Sequence, residues 1–104
     1  MALMLRLQKT EKEALVRALD GVDGEVYLYG SRTDMEKKGG DIDVLILSET
    51  VDTYQLAQEV TVRFRMECDE RIDVTVVNPR NISKWQNPFL LSIQRHAVRF
   101  HEFE

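Results

Sequence analysis

The sequence predicts an α/β (α+β) domain in which a mixed central sheet is flanked by helices. Helical and strand-like apolar patterns alternate along the 104 residues, which is typical of layered α/β architectures. Residues 44–47, VLIL, are apolar at every position, as expected of a strand covered on both faces. The short connection over residues 30–40 favours an antiparallel return, whereas a helix before the third strand allows a parallel crossover. We expect residues 1–104 to form a single domain, because a second core requires about a hundred further residues.

The first half of the chain predicts a helix followed by two strands. Thr10 and Glu13 form a capping-box pattern, and an amphipathic stretch then runs over about residues 10–20, where Asp20-Gly21 ends it. The segment EVYLY, 25–29, predicts a strand that enters a turn at Gly30. The segment DIDVLILS, 41–48, predicts a second strand in the centre of the sheet.

The second half predicts a helix, a strand and a final helix. Asp52 is placed to cap the first of these helices, whose apolar positions recur at spacings of three and four: Tyr54, Ala57, Val60, Phe64 and Cys68. The segment RIDVTVV predicts a third strand that Asn78-Pro79 ends. Residues 89–101 show another helical stripe, formed by Leu90, Ile93, Ala97 and Phe100.

Composition limits the kinds of binding partner and the cellular compartment that we expect for this protein. The net charge of −4 supplies no general field for a polyanion, so we expect no binding of duplex nucleic acid. Cys68 is the single cysteine and cannot form an internal disulfide, which favours a reducing, cytoplasmic location. No apolar run approaches the roughly 18 residues that a membrane span needs, so no membrane association is expected.

Three carboxylates occupy positions at which they can meet. Asp41 and Asp43 point to the same side of the predicted second strand, and Asp73 is a single acid in the third strand. Two unit charges about 4 Å apart repel by roughly 4 kcal/mol at an effective dielectric near 20, so clustered acids need a counter-charge. Carboxylate oxygens suit Mg²⁺, which also takes substrate phosphates as ligands. The alternative interpretation is a solvated strand end.

The turn after the first strand is placed to bind an anion. Gly30 allows close approach of the backbone, and Ser31 opens a predicted short helix whose free N–H groups favour phosphate. The Arg32 guanidinium could add a bidentate contact to phosphate. The alternative is that Ser31 is an N-cap and Arg32 a surface charge.

The order of these motifs resembles the nucleotidyltransferase superfamily typified by DNA polymerase β, and most closely its minimal nucleotidyltransferase (MntA-like) family. The resemblance covers about residues 10–80 and implies the polymerase β-like fold. Gly30, Ser31 and Arg32 match the family's phosphate turn, whereas the following residues 33–35 depart from its pattern. Asp41 and Asp43 match its metal-binding pair and Asp73 its third acid.

The resemblance implies a reaction and a partner. A nucleoside triphosphate, ATP by expectation, is held with two Mg²⁺ ions, and a hydroxyl attacks its α-phosphorus as pyrophosphate departs. Asp41, Asp43 and Asp73 are then the catalytic and metal-binding residues, while Gly30, Ser31 and Arg32 hold the phosphates. Minimal members pair with a small helical HEPN-type protein and act as antitoxins by adding AMP to one of its tyrosines, which implies the same partner here.

Two other classes of function stay open. A non-catalytic module could neutralise a helical partner by contact, with its acids idle, and an exposed apolar C-terminal stripe would also favour a homo-oligomer. A purely structural α/β domain with a solvated acidic rim would bind no nucleotide in a Mg²⁺-dependent way. The sequence indicates neither the acceptor nor the preferred base.

Overall fold

The computed structural model describes residues 7–30, 41–81 and 97–100, and within these ranges two helices and four strands form an α+β fold. In chain order the elements are α1 (Lys9–Ala18), β1 (Glu25–Tyr29), β2 (Ile42–Leu47), α2 (Thr53–Glu67), β3 (Ile72–Val77), a short 3₁₀ turn (Pro79–Asn81) and β4 (Val98–Arg99). The predicted α+β class is therefore confirmed. No helix in the described part of the chain combines the length and apolar character that a membrane crossing requires.

The sheet is mixed, with the strand order β3-β2-β1-β4. Strand β1 pairs antiparallel with β2 and with β4, and β2 pairs parallel with β3. The α2 helix lies between β2 and β3 in the chain, which supplies the crossover that a parallel pair needs. The predicted mixed sheet and the central place of β2 are both confirmed, since β2 has a strand on each side.

The main core lies between the two described helices and one face of the sheet. From α1 and α2 it takes Leu15 and Phe64, which are fully buried, and from β1 and β2 it takes Leu28 and the alternating residues Ile42, Val44 and Ile46. Strand alternation sends Leu45 to the opposite face, and it is also buried, with an exposed fraction of 2%. The prediction that β2 is covered on both faces is therefore confirmed for its centre.

Both helix starts are capped, but the first cap differs from the predicted one. The backbone N–H of Gln8 donates to the Glu11 carboxylate at 2.8 Å, so the capping pair lies two residues before Thr10 and Glu13. The Asp52 carboxylate accepts from the Gln55 N–H at 2.9 Å, as predicted. The first prediction was wrong because this helix has a glutamine, Gln8, at its N-cap, whereas serine and threonine are the usual signal there.

The predicted apolar face of α2 includes one residue that the core does not cover. Val60 and Phe64 are buried, whereas Tyr54 in the first turn is 74% exposed. Cys68 follows the helix in extended conformation as its C-cap, so it does not belong to the helical stripe. Helical spacing places residues on one side of a helix, but it does not reveal how far the neighbouring elements extend along it.

The predicted final helix is wrong where the structure describes it, at residues 97–100. Val98 and Arg99 form β4, which pairs with Leu28 and Tyr27 of β1, and the Phe100 N–H donates to the Val26 carbonyl at 2.9 Å. Phe100 is buried in the main core. Period-two alternation in AVRF fits a strand as well as a helix over so few residues, and the open edge of β1 decided between them. The rest of the predicted helix lies outside the described residues.

Two aromatic residues of α2 test the position of the core. We expect Phe64→Ala to lower the free energy of unfolding by about 3–5 kcal/mol, because it removes a fully buried side chain and leaves a cavity. The matched control is Tyr54→Ala on the same helix, for which a change within about 0.5 kcal/mol is expected. Urea denaturation followed by circular dichroism measures both, and equal losses for the two variants would contradict this assignment of the core.

Candidate functional site

The site lies on the sheet face opposite α1 and α2, at the N-terminal ends of β2 and β3. Parallel pairing places Ile42 beside Ile72, Asp43 beside Asp73 and Val44 beside Val74. Since adjacent parallel strands lie about 4.8 Å apart and residues in register point the same way, Asp43 and Asp73 are side by side on one face. The second and third strands are therefore neighbours, which is the condition under which the predicted acids can meet.

Asp41 completes the acidic group from just before β2. The Ile42 N–H donates to the Arg71 carbonyl at 3.0 Å, so parallel pairing extends to the start of both strands. Asp41 and Asp73 are exposed, and Asp43 is half-buried. The structure therefore brings all three predicted acids to one end of one sheet face.

The pKa of Asp43 reflects the closeness of the other two acids. Burial raises the pKa of the Asp43 carboxyl, and the negative charges of Asp73 and Asp41 raise it further. Each of these causes disfavours the ionised form, so the charge of Asp43 costs the folded state free energy near neutral pH. A cation bound at Asp43 would instead favour the ionised form of its carboxyl.

Gly30 packs directly against this carboxylate. Its φ of +78° lies in the left-handed region that favours glycine. A Cβ built at Gly30 would contact the Asp43 carboxylate oxygen Oδ2, and would lie 3.2 Å from Cγ and 3.6 Å from Cβ of Asp43. Glycine is therefore required here both by the backbone and by the space that Asp43 takes. Gly30 and Asp41 are eleven residues apart in the sequence. The packing of Gly30 against Asp43 brings these two motifs together in the fold.

Tyr29 and Thr75 adjoin the acids, and sequence reasoning did not assign them to the site. Tyr29 is the cross-strand partner of Asp43, and Thr75 follows Asp73 on the same face of β3. Burial raises the pKa of the Tyr29 phenol, a hydrogen bond from the Thr75 hydroxyl lowers it, and the charges of Asp43 and Asp73 raise it. Alternation alone places Thr75 on the acidic face, but only the pairing of β1 with β2 brings Tyr29 there.

The donor set fits a hard divalent cation. Carboxylate oxygens from neighbouring strands are the ligands that Mg²⁺ takes from proteins, and this ion usually completes its shell with water and substrate phosphates. Among the described residues, no group of three or more His, Cys, Asp or Glu side chains is arranged to hold a metal ion by itself. A Mg²⁺ ion at Asp43 and Asp73 would therefore need oxygen ligands in addition to the carboxylates of the described residues. Ser31 and Arg32, the other predicted phosphate ligands, lie outside the described residues.

Comparison with known proteins adds no assignment. No family model matches the chain, and no curated protein matches it. The chemistry of the site is therefore argued from its residues.

The cost of charge at Asp43 predicts a pH dependence of stability. Below the ordinary value of 3.8, Asp43 is protonated in both the folded and the unfolded state, so its ionisation costs nothing. As the pH rises through the raised pKa of Asp43 in the folded state, ionisation of this carboxyl lowers the stability of the wild type. Asp43→Asn has no such group to ionise, so it keeps that stability. We therefore expect Asp43→Asn to gain stability relative to the wild type between about pH 3 and about pH 7, measured by urea denaturation in Mg²⁺-free buffer.

The control for this titration is Asp23→Asn. Asp23 is an exposed acid that precedes β1 at the opposite end of the sheet, since Glu25 pairs with Leu47 while Tyr29 pairs with Asp43. Its stability difference from the wild type should change little over the same range. An Asp43→Asn difference that is equally flat would show that the Asp43 charge is not disfavoured by folding.

Two glycines with similar backbone angles test the contact between Gly30 and Asp43. Gly21 has a φ of +82° and open space where a Cβ would lie, whereas Gly30 has a φ of +78° and the Asp43 carboxylate there. Alanine at either position costs about 1 kcal/mol or more from backbone strain. We expect Gly30→Ala to lose more stability than Gly21→Ala in urea denaturation. Equal losses would mean that Asp43 does not limit the space at Gly30.

Proposed function

We propose that this chain is a Mg²⁺-dependent nucleotidyltransferase of the polymerase β superfamily, most similar to its minimal MntA-like members. Its reaction would transfer a nucleoside monophosphate, AMP from ATP, to a hydroxyl group. The observation that supports this most directly is the register of Asp43 with Asp73 on neighbouring parallel strands. A mixed sheet with both described helices on one face is compatible with that fold.

The cost of the acidic cluster supports a role in binding cations. Asp43 is half-buried, and both Asp41 and Asp73 disfavour its ionisation, so the arrangement destabilises the fold in the absence of a counter-charge. A structural domain would be more stable with a neutral residue at this position. Retention of three carboxylates is accounted for if the site gains free energy when a divalent cation and a triphosphate bind.

The glycine turn supports phosphate as the second ligand. Gly30 brings the main chain against the Asp43 carboxylate, so an anion bound at the backbone after β1 would lie beside a cation bound at Asp43. In the proposed site, Ser31 and Arg32 continue this turn and hold the β- and γ-phosphates, an assignment that comes from the sequence resemblance. A triphosphate would then supply the oxygen ligands that the described acids lack.

The roles of the acids follow from the reaction. Two Mg²⁺ ions, when bound, supply stabilisation of the attacking and leaving oxygens at the α-phosphorus. Asp41 and Asp43 would hold both ions, and Asp73 would hold the ion on the side of the acceptor. Asp73 is also proposed to accept the proton of the attacking hydroxyl, and its exposure is compatible with that role.

The acceptor proposed from the resemblance is a tyrosine of a small helical HEPN-type protein, which would make this chain an antitoxin. An alternative is inhibition by contact without catalysis, and one observation favours a contact surface. Four large apolar residues are exposed on α2 and just before it: Val51, Tyr54, Val62 and Met66. Val62 and Met66 lie one turn apart on α2, so these two can form a continuous exposed apolar strip of the kind that marks interaction surfaces.

Transfer of label from α-labelled ATP to the proposed HEPN-type partner tests the proposal. With Mg²⁺ present we expect label on that protein, and Asp43→Asn should reduce the rate by at least about a hundredfold, the scale for losing one group that stabilises a transition state. Asp23→Asn, at the far end of the sheet, should label at the wild-type rate.

Two outcomes would contradict the enzyme proposal. Inhibition of the partner without any label would favour neutralisation by contact. Absence of Mg²⁺-dependent ATP binding, measured by calorimetry on the wild type, would leave a structural domain with an acidic rim.

A further inference from the structure

The outer face of α2 carries an exposed apolar strip formed by Val62 and Met66. Successive residues of a helix are about 100° apart, so Val62 faces away from Val60 and Phe64, which are buried in the main core. Val62 is 54% exposed, and Met66, one turn later, is 79% exposed. Removal of such side chains from water is favourable, so the strip favours the docking of another protein surface.

Two opposite charges lie symmetrically about Val62. Glu59 is three residues before it and Arg65 three residues after it, and both are exposed. Helical geometry puts these two residues about 4.5 Å to either side of Val62 along the axis, and about 60° to either side around it. A strip with one charge of each sign equally far from an apolar centre is complementary to a copy of itself that runs in the opposite direction.

The other two charged residues of α2 bond within the domain. Arg63 donates to a backbone carbonyl just after α1 at 3.1 Å, and Glu67 lies 3.6 Å from an arginine of α1. Within the described ranges, neither Glu59 nor Arg65 forms an ion pair. The charges on either side of the apolar strip are therefore the ones that can pair with another molecule.

We infer that the outer face of α2 is the interface of a homodimer, in which two copies of this helix pair antiparallel about a two-fold axis at Val62. Val62 then packs against Val62 of the second copy. Glu59 lies at the same height as Arg65 of the second copy, so each dimer contains two such ion pairs. Both side chains are long enough to meet between helices whose axes are about 8–10 Å apart. This inference does not depend on the proposed function.

Pairing through this face is compatible with the rest of the fold. Because Val62 faces away from the core, the two domains lie on opposite sides of the helix pair. The acidic residues are on the sheet face opposite α1 and α2, so the dimer leaves both acidic groups accessible. The 15 residues of α2 span only about 22 Å. Such an interface lies at the low end of the size range, so we expect a dimer that dissociates on dilution.

Sedimentation equilibrium over a range of protein concentrations tests the inference without a ligand. We expect the wild type to associate reversibly to a dimer. Val62→Lys should stay monomeric at the same concentrations, because it places two positive charges together at the two-fold axis. Circular dichroism checks that each variant is folded.

Reversal of the two charges tests the antiparallel pairing. Glu59→Lys and Arg65→Glu should each raise the dissociation constant of the dimer by about tenfold, because each replaces two attractive pairs with two repulsive ones. The double variant restores opposite charges and should dimerise like the wild type. A mixture of the two single variants should form heterodimers in preference to either homodimer. The matched control is Glu13→Lys, which reverses an exposed charge on α1 and should leave dimerisation unchanged.

Three results would overturn this homodimer. The first is a wild type that is monomeric at every concentration. The second is a dimer that persists in Val62→Lys, or a double charge variant that dimerises no better than the single ones. The third is a wild type that is monomeric alone but binds the proposed HEPN-type partner and loses that binding in Val62→Lys, which would assign the strip to that partner. None of these measurements uses Mg²⁺ or ATP, so they are independent of the test of the proposed function.

Discussion

The parallel pairing of β2 with β3 is the constraint on which the site depends. One register places Asp43 beside Asp73, and a shift by one residue would send one of the two carboxylates to the helix-covered face. The apolar residues of β2 prevent such a shift, because Ile42, Val44 and Ile46 are all fully buried against the helices. Hydrophobic burial on one face therefore determines the charge arrangement on the other.

The buried part of β2 stabilises the fold, whereas the ionised acids at its start destabilise it. Beyond the acids, the centre of β2 is buried on both faces, which favours folding through removal of apolar surface from water. At its start, ionisation of Asp43 is disfavoured by burial and by its neighbours. The buried part can hold the acids in place against their repulsion because the free energy of the core greatly exceeds that of one pair of partly exposed charges. Carboxylates that repel one another can be kept close together only on a strand that core packing holds in place.

Gly30, the acids and Tyr29 lie together at one end of the sheet. The Asp43 side chain lies against Gly30 at the end of β1, and Tyr29, one residue earlier, is the cross-strand partner of Asp43. The three strands β1, β2 and β3 thus each contribute to the surroundings of Asp43. The antiparallel pairing of β1 with β2 therefore brings Gly30 and the acidic residues to the same end of the sheet.

The sequence by itself determined the strands β1, β2 and β3, the helices α1 and α2, the mixed sheet and the acids, because periodic burial and connection length are local signals. Only the tertiary structure decided that Asp43 stands in register with Asp73, since register depends on two segments separated by a helix. It also decided that residues 98–99 form an edge strand, because the unpaired edge of β1 outweighed a weak helical pattern. Tyr29 joins the site for the same reason. Its position beside the acids comes from a neighbour across the sheet, and spacing along one strand carries no information about that neighbour.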